Sequence, residues 1–406
     1  MLNKSLSASS DFLKGLAMIS LVYVHYVRLE YGLIDNIMWI WDPQVLHKIV
    51  TEAAQYSWWS VLLRYFAQVA VTMFFILSSW GLSYSLLARN KMPPPWLAFM
   101  HGRVRKLAPL YWIALFVLML AALAEYHDSG LKILKIVVSF GLKASFLHIF
   151  HPDAMFNYNS ALWFFGTLMF LYMLFPALYR ATLVRPWATL GASIAIGYLS
   201  TVLIKATPLY AWHPALAMGG FPLARLGDFA FGIFLAVHSQ QCTAHGKADV
   251  FERHGYSIGF AALIIGVVSM LGFRALGVER LGFLDEWIHP FHVFGLGIFA
   301  VLAGAKFHGM LMRRPRLFGA PVKAVAFVGI YSYSMFLFHM PLIRPWLAYV
   351  SDRHHIFVFG TLFLVTMFFV FYAIEKISNR YLVPPIQAGI DAVFAGLSRA
   401  PRTVGG

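Results

Sequence analysis

The chain has 406 residues, of which 60% are hydrophobic, 17% aromatic and only 12% charged, with a mean hydropathy of +0.69. Soluble proteins carry about twice that share of charge, so the composition excludes a string of water-soluble domains and points to one all-α polytopic membrane domain. The net charge of +15 does not mark a nucleic-acid binder, because the 32 lysines and arginines fall in the gaps between apolar runs instead of one patch.

Runs long enough to cross a hydrocarbon core of ~30 Å occur near 12–29, 61–88, 107–125, 161–179, 187–204, 219–238, 256–273, 288–305, 324–344 and 355–376. Ten spans put both termini on one side, and the distribution of lysine and arginine makes that side the cytoplasm. Lys14 interrupts the first run and no small-x-small site follows it, so this run is expected to remain as a helix instead of leaving as a signal peptide. Segment 130–150 is apolar but broken by Lys132, Lys135 and Lys143, which fits an amphipathic helix at the interface. The outer segments near 30–60 and 126–160 are rich in Trp, Tyr and His and are expected to line an external mouth. Residues 1–380 read as the membrane domain and 381–406 as a cytoplasmic tail; no internal repeat or low-complexity tract is present.

The first run, "DFLKGLAMISLVYVHY" (11–26), carries Lys14 near one end and His25 deep inside. Eleven steps make three helical turns, so the two share a face about 16 Å apart and can look into one cavity from two depths. An ionisable group at that depth is a functional candidate, and a neutral imidazole can take a proton from a hydroxyl nucleophile. In "HGRVRKLAPLYW", Arg103, Arg105 and Lys106 precede the third run. They serve either as a positive-inside anchor or, with Lys14, as a phosphate site for a nucleotide cofactor.

His339 lies in "YSYSMFLFHMPLI" with Ser332 and Met335 on its helical face, and Pro341 is expected to kink the outer end. Asp228 has Arg225 three residues before it, an ion-pair spacing. Glu375, followed by Lys376, is expected to pair with a neighbouring basic loop. The chain has no Walker loop, no GxGxxG after a strand and no GxSxG elbow, which removes support for nucleotide hydrolysis and soluble hydrolase chemistry. Metal spacing is poor: Cys242 is the one cysteine, and His148/His151 and His289/His292 are isolated pairs. Other classes in view are a secondary transporter of a small polar solute, which usually shows repeated halves, and a membrane haem protein ligated by His25 and His339.

These residues, in this order, resemble the acyltransferase-3 family of membrane O-acyltransferases over essentially the whole chain. Asp11, Lys14 and His25 match the family's opening aspartate, arginine and histidine, with lysine replacing arginine. Ser78 and Ser79 stand at its Ser-Gly pair, and Arg103, Lys106 and Pro109 match its R-x-x-R and following proline. Trp163, Tyr172 and Pro176 match its Trp-led helix, where many members carry a glutamate and this chain has Leu168 and Met169. Ser332, Tyr333, His339 and Pro341 match its Ser-Tyr…His-x-Pro stretch, and Glu375 its Ile-Glu-Lys. The resemblance implies transfer of an acyl group, usually acetyl from acetyl-CoA, to a hydroxyl of a carbohydrate or lipid-linked acceptor at or beyond the outer face of a bacterial inner membrane. It implies no metal. On this reading His25 is the base, Lys14, Arg103, Arg105 and Lys106 hold the cofactor, and Ser332, Tyr333, His339, Trp163 and Tyr172 serve the acceptor or oxyanion. Asp11, Ser78, Arg225, Asp228 and Glu375 then have supporting roles.

Overall fold

A helix is the one open structure that satisfies its own backbone polar groups in lipid, and most of the described residues adopt it. The computed structural model describes residues 2–31, 58–125, 130–217, 219–275, 285–349 and 356–399, and contains no strand among them. The longer helices are α1 (Leu2–Tyr31), α2 (Trp58–Ala88), α3 (Trp96–Glu125), α4 (Gly130–Ala144), α5 (Trp163–Val184), α6 (Pro186–Lys205) and α7 (Leu226–Ala244). They continue as α8 (Val250–Ala275), α9 (Asp285–Met312), α10 (Pro315–Ile330), α11 (Ser332–Tyr349), α12 (Ile356–Ile377) and α13 (Val383–Arg399). Most apolar runs of the sequence fall in a single one of these helices; 219–238 starts ahead of α7, and 324–344 is divided between α10 and α11. By length and composition, 6 stretches among the described residues are able to cross a membrane, or 7 when α10 and α11 count as one bent span. Most of the outer segment near 30–60, and residues 126–129, lie outside the described residues.

The axis of the bundle is α1, which packs against α2, α7, α9, α10, α11 and α12. Its buried Asn3 ties three helices: Nδ2 donates to Ala236 O at 2.9 Å, and Oδ1 accepts from Trp80 Nε1 at 2.9 Å. Two glycines bring α1 and α10 almost into backbone contact. A Cβ on Gly15 would stand 1.9 Å from Val325 O, and one on Gly329 would stand 1.8 Å from Asp11 O. The pairing of Gly15 with Val325 and of Asp11 with Gly329 makes the two helices antiparallel.

A sharp bend in this stretch lies at Tyr331, where α10 and α11 meet at 76°. A proline leaves the carbonyl four residues earlier without its helical donor. At Pro341 that carbonyl, Leu337 O, accepts from Asn159 Nδ2 at 2.7 Å, so α11 continues through the proline. At Tyr331 the backbone leaves the helix (φ −96°, ψ 12°), and the Ser334 hydroxyl takes the Tyr331 carbonyl at 2.9 Å. Beyond the bend α11 rises alongside α1, bringing His339 to the level of His25. Pro109 in α3 repeats the proline logic: its orphan carbonyl, Arg105 O, accepts from Gln387 Nε2 of α13 at 3.1 Å. The expected tail boundary at 380 thus falls inside the π-helical turn Ser378–Leu382, and the following helix, α13, packs on α3.

The amphipathic segment forms α4, with Leu131, Leu134, Val137 and Val138 exposed and Ile136 and Phe140 buried. Lys143 departs from the expected polar face. It is fully buried, and its ammonium donates to Ala154 O. Burial lowers its pKa to about 7, and the neighbouring His148, whose Nε2–H donates to Leu162 O at 3.1 Å, is lowered to about 3 chiefly by the same desolvation. The sign of the linkage follows: above pH 7 the folded Lys143 sheds its proton while the unfolded one keeps it up to about pH 10.4. The destabilisation from Lys143, of the order of a few kcal/mol, is complete below pH 7 and fades as pH rises toward 10. In thermal unfolding of detergent-purified protein, Lys143→Met is therefore expected to be more stable than wild type at pH 6.5, by a margin that narrows at pH 9. A margin independent of pH would show that Lys143 is not desolvated.

Candidate active site

At the bend between α10 and α11 the helices part around a cavity of 1060 Å³. Lys14 of α1, Arg89 at the end of α2, and Arg103, Arg105 and Lys106 of α3 converge on its wall. Two of these cations are balanced by acids: Lys14 Nζ lies 3.2 Å from Asp11 Oδ1, and Arg105 Nε lies 3.0 Å from Asp391 Oδ1 of α13. Asp391 also holds His101 Nε2 at 2.7 Å. Arg89, Arg103 and Lys106 have no carboxylate partner among the described residues. Arg103 lies over the Phe99 ring at 5.6 Å, and its buried Nε has no hydrogen-bond partner there. Gathering like charges in a partly desolvated wall is unfavourable unless an anion completes it, so this end of the cavity has the charge to take a polyanionic ligand.

Farther along the wall the lining becomes polar and aromatic. Ser78 Oγ and Tyr172 OH share a 2.5 Å hydrogen bond across α2 and α5. Ser332 opens α11, and the Tyr333 hydroxyl donates to Leu107 O. Leu168, where the resemblance leads one to look for a glutamate, is apolar and faces the cavity. The acid opposite is Glu375. Among the described residues it pairs with no basic side chain; it lines the cavity and accepts a hydrogen bond from the buried Ser334 hydroxyl. Its neighbour Lys376 lies over Tyr372 instead, at 5.6 Å, which leaves the carboxylate pointing inward.

Phe336 closes this wall, packing against Phe164 and, edge-on, against Phe74 and Phe165. The next turn of α11 carries His339, whose ring stands edge-on to Phe336 at 5.9 Å. His25 meets it there, Nδ1 to Nε2 at 2.8 Å, with the rings 7° from parallel. The two histidines lie off the cavity wall, behind one layer of aromatic rings. The two rings are thus hydrogen-bonded to each other instead of standing on either side of a gap. Among the described residues no group of three or more His, Cys, Asp or Glu is placed to hold a metal.

Of the other sequence candidates, Trp163 lies off the cavity, half-buried and edge-on to Phe164 at 6.5 Å. Arg225 and Asp228 form an ion pair at 3.2 Å; Arg225 also donates to Gly219 O at 3.3 Å and approaches Thr72 Oγ1 at 3.5 Å. They stand in a separate pocket beside Tyr198 and Phe294. Arg89, Gln387, Asp391 and Phe336 carry no local signal of a site in the sequence: Arg89 is an isolated charge after an apolar run, and Gln387 and Asp391 lie beyond the expected membrane domain.

The family model described as an acyltransferase domain matches residues 7–376, a stretch that contains all the cavity residues except Asn379, Val383 and Gln387. Comparisons with curated proteins and with solved structures return no significant match. With nearly its whole length matched and membrane-competent helices throughout, the chain belongs to the acyltransferase-3 family of membrane acyltransferases.

Proposed function

We propose that this protein moves an acyl group, acetyl in the first instance, from acyl-CoA to a hydroxyl of a carbohydrate or lipid-linked acceptor. The observation that carries this reading is the cation-walled cavity whose far end abuts the His25–His339 pair. The phosphates of coenzyme A are polyanionic and suit Arg89, Arg103, Lys106 and Lys14, with Arg105 exchanging Asp391 for a phosphate. Cytoplasmic entry of the donor, in a bacterial inner membrane with both termini inside, follows from the positive-inside distribution. The acceptor comes from the outer side.

In the reaction, His25 takes the proton of the acceptor hydroxyl as its oxygen attacks the thioester carbonyl carbon. The tetrahedral intermediate collapses with cleavage of the C–S bond. The imidazolium returns the proton to the departing thiolate, so the products are an ester and free coenzyme A. The hydroxyls of Ser332 and Tyr172 on the cavity wall are the candidate donors for the developing oxyanion, while the Tyr333 hydroxyl, whose proton goes to Leu107 O, fixes α11 against α3. The thioester supplies the driving force, and no metal enters the scheme.

Binding of acetyl-CoA to detergent-purified protein, read by calorimetry, tests the reading. Arg103→Ala/Lys106→Ala is expected to weaken binding about 100-fold, the equivalent of one or two charge-assisted hydrogen bonds. The loss should shrink as salt is raised, because screening already weakens the wild-type contacts. No acetyl-CoA binding by the wild type, or equal binding by the double variant, would overturn the assignment. A solute transporter would instead move its substrate without consuming acetyl-CoA.

A further inference from the structure

We infer that Asp391 of α13 is a resident counter-anion that competes with the donor's phosphates for Arg105, so that α13 sets the affinity of the cationic end of the cavity. This rests on the reading of that end as the site for coenzyme A, and adds which group of the chain itself a donor phosphate has to displace.

The contact has the parts of an exchange. Arg105 lines the cavity, but its Nε lies 3.0 and 3.2 Å from the two carboxylate oxygens of Asp391. That edge of a guanidinium can equally hold a phosphate, and while the carboxylate is there it cancels a charge that the phosphate would use. Asp391 has a second partner, His101 Nε2, at 2.7 Å. It therefore keeps a hydrogen bond when Arg105 turns away, and the exchange leaves no bare carboxylate. The pair is open to solvent, 46% for the Arg105 side chain and 42% for that of Asp391. Ion pairs so exposed are weak, so a phosphate carrying more charge than one carboxylate displaces this one at little cost.

The helix itself is held by other contacts. Gln387 Nε2, one turn before Asp391, donates to Arg105 O at 3.1 Å, and Phe394, about one turn after, lies against the His101 ring at 4.8 Å. Positions 387, 391 and 394 share one helical face, so α13 stays docked on α3 while the side-chain pair opens. Gln387 and Val383 also line the cavity. Thus α13, which begins beyond the matched residues 7–376, contributes both wall and competing anion. Acyl-CoA and free coenzyme A carry the same phosphates, so the competition loosens donor and product alike and leaves the thioester untouched. Spent cofactor then departs faster.

Calorimetric titration of acetyl-CoA into detergent-purified protein tests the competition, with wild type beside Asp391→Asn, Asp391→Glu, Arg105→Gln and the double variant Arg105→Gln/Asp391→Asn. Asp391→Asn is expected to bind about fivefold tighter than wild type, the worth of an exposed ion pair. Asp391→Glu keeps the anion and should stay within about twofold of wild type. In the Arg105→Gln background the Asn substitution should change affinity by less than about twofold, because the competition needs both partners. Lost packing of α13 would weaken binding in Asp391→Asn, and mere removal of a nearby negative charge would tighten it whether or not Arg105 is present. Either of those results, unchanged affinity in Asp391→Asn, or equal tightening by Asp391→Glu would overturn the competition while leaving the donor site standing. Acetyl-CoA binding by none of the five proteins would overturn the donor assignment as well.

Discussion

Alanine at position 25 is expected to lower acetyl transfer by about 10³-fold while leaving coenzyme A binding within about twofold of wild type. The two halves of that expectation come from different parts of the molecule. Lys14 and the α3 cations stand at one end of the cavity, and His25 lies three turns of α1 farther on, about 16 Å away. Removing an imidazole at that distance takes no charge from the cationic wall, so affinity for the donor should persist. Loss of the rate follows because the other groups on the path, the hydroxyls of Ser332, Tyr333 and Tyr172, are poor bases at neutral pH. Stopped-flow turnover of acetyl-CoA with a model hydroxyl acceptor, beside calorimetric binding, reads both quantities. Parallel loss of binding and turnover would mean that His25 holds α1 against α11 and does no chemistry.

The helices were legible because a bilayer demands long apolar runs, and most of those runs are single helices. Their interruptions were not. A proline announces itself in sequence, yet Pro341 is absorbed because Asn159, far away in the chain, supplies the missing donor. Tyr331 carries no such signal and is where the span breaks.

The candidate site divides in the same way. Arg103, Arg105 and Lys106 are neighbours in the chain and could be grouped by eye, whereas Arg89 and the α13 residues reach the same wall only through packing. His25 and His339 were each visible as an ionisable residue in an apolar run. Their 2.8 Å contact spans 314 positions, and no periodicity within either helix encodes it. For Glu375 the sequence misdirected, since the adjacent Lys376 looked like part of a charged end, while the carboxylate in fact turns inward to Ser334.

The α1–α10 crossing carries the second large effect. Gly329→Ala would put a methyl group 1.8 Å from the Asp11 carbonyl, a distance that the backbone can relieve only if the helices move apart by about 1 Å. Nothing nearby can yield, because every obstacle is α1 backbone: Asp11 O, Asp11 C at 2.7 Å and Gly15 N at 2.9 Å. The cost is borne at the cavity, since the crossing sets Asp11 and Lys14 against the Tyr331 break and fixes how far α11 lies from α1. A shift of about 1 Å at a catalytic geometry is enough to cost 10²-fold in rate, and overpacking of this severity should add several kcal/mol of destabilisation. We therefore expect Gly329→Ala to give a much reduced yield of monodisperse protein and, in whatever folds, both weakened acetyl-CoA binding and lost turnover. Gly309→Ala in α9 is the matched control: an added Cβ meets nothing within 4 Å there, and helix propensity should raise stability slightly, by at most about 1 kcal/mol. Equal melting temperatures for the two variants, measured by fluorescence-detected size exclusion after heating, would show that the close crossing is not what holds the cavity in shape.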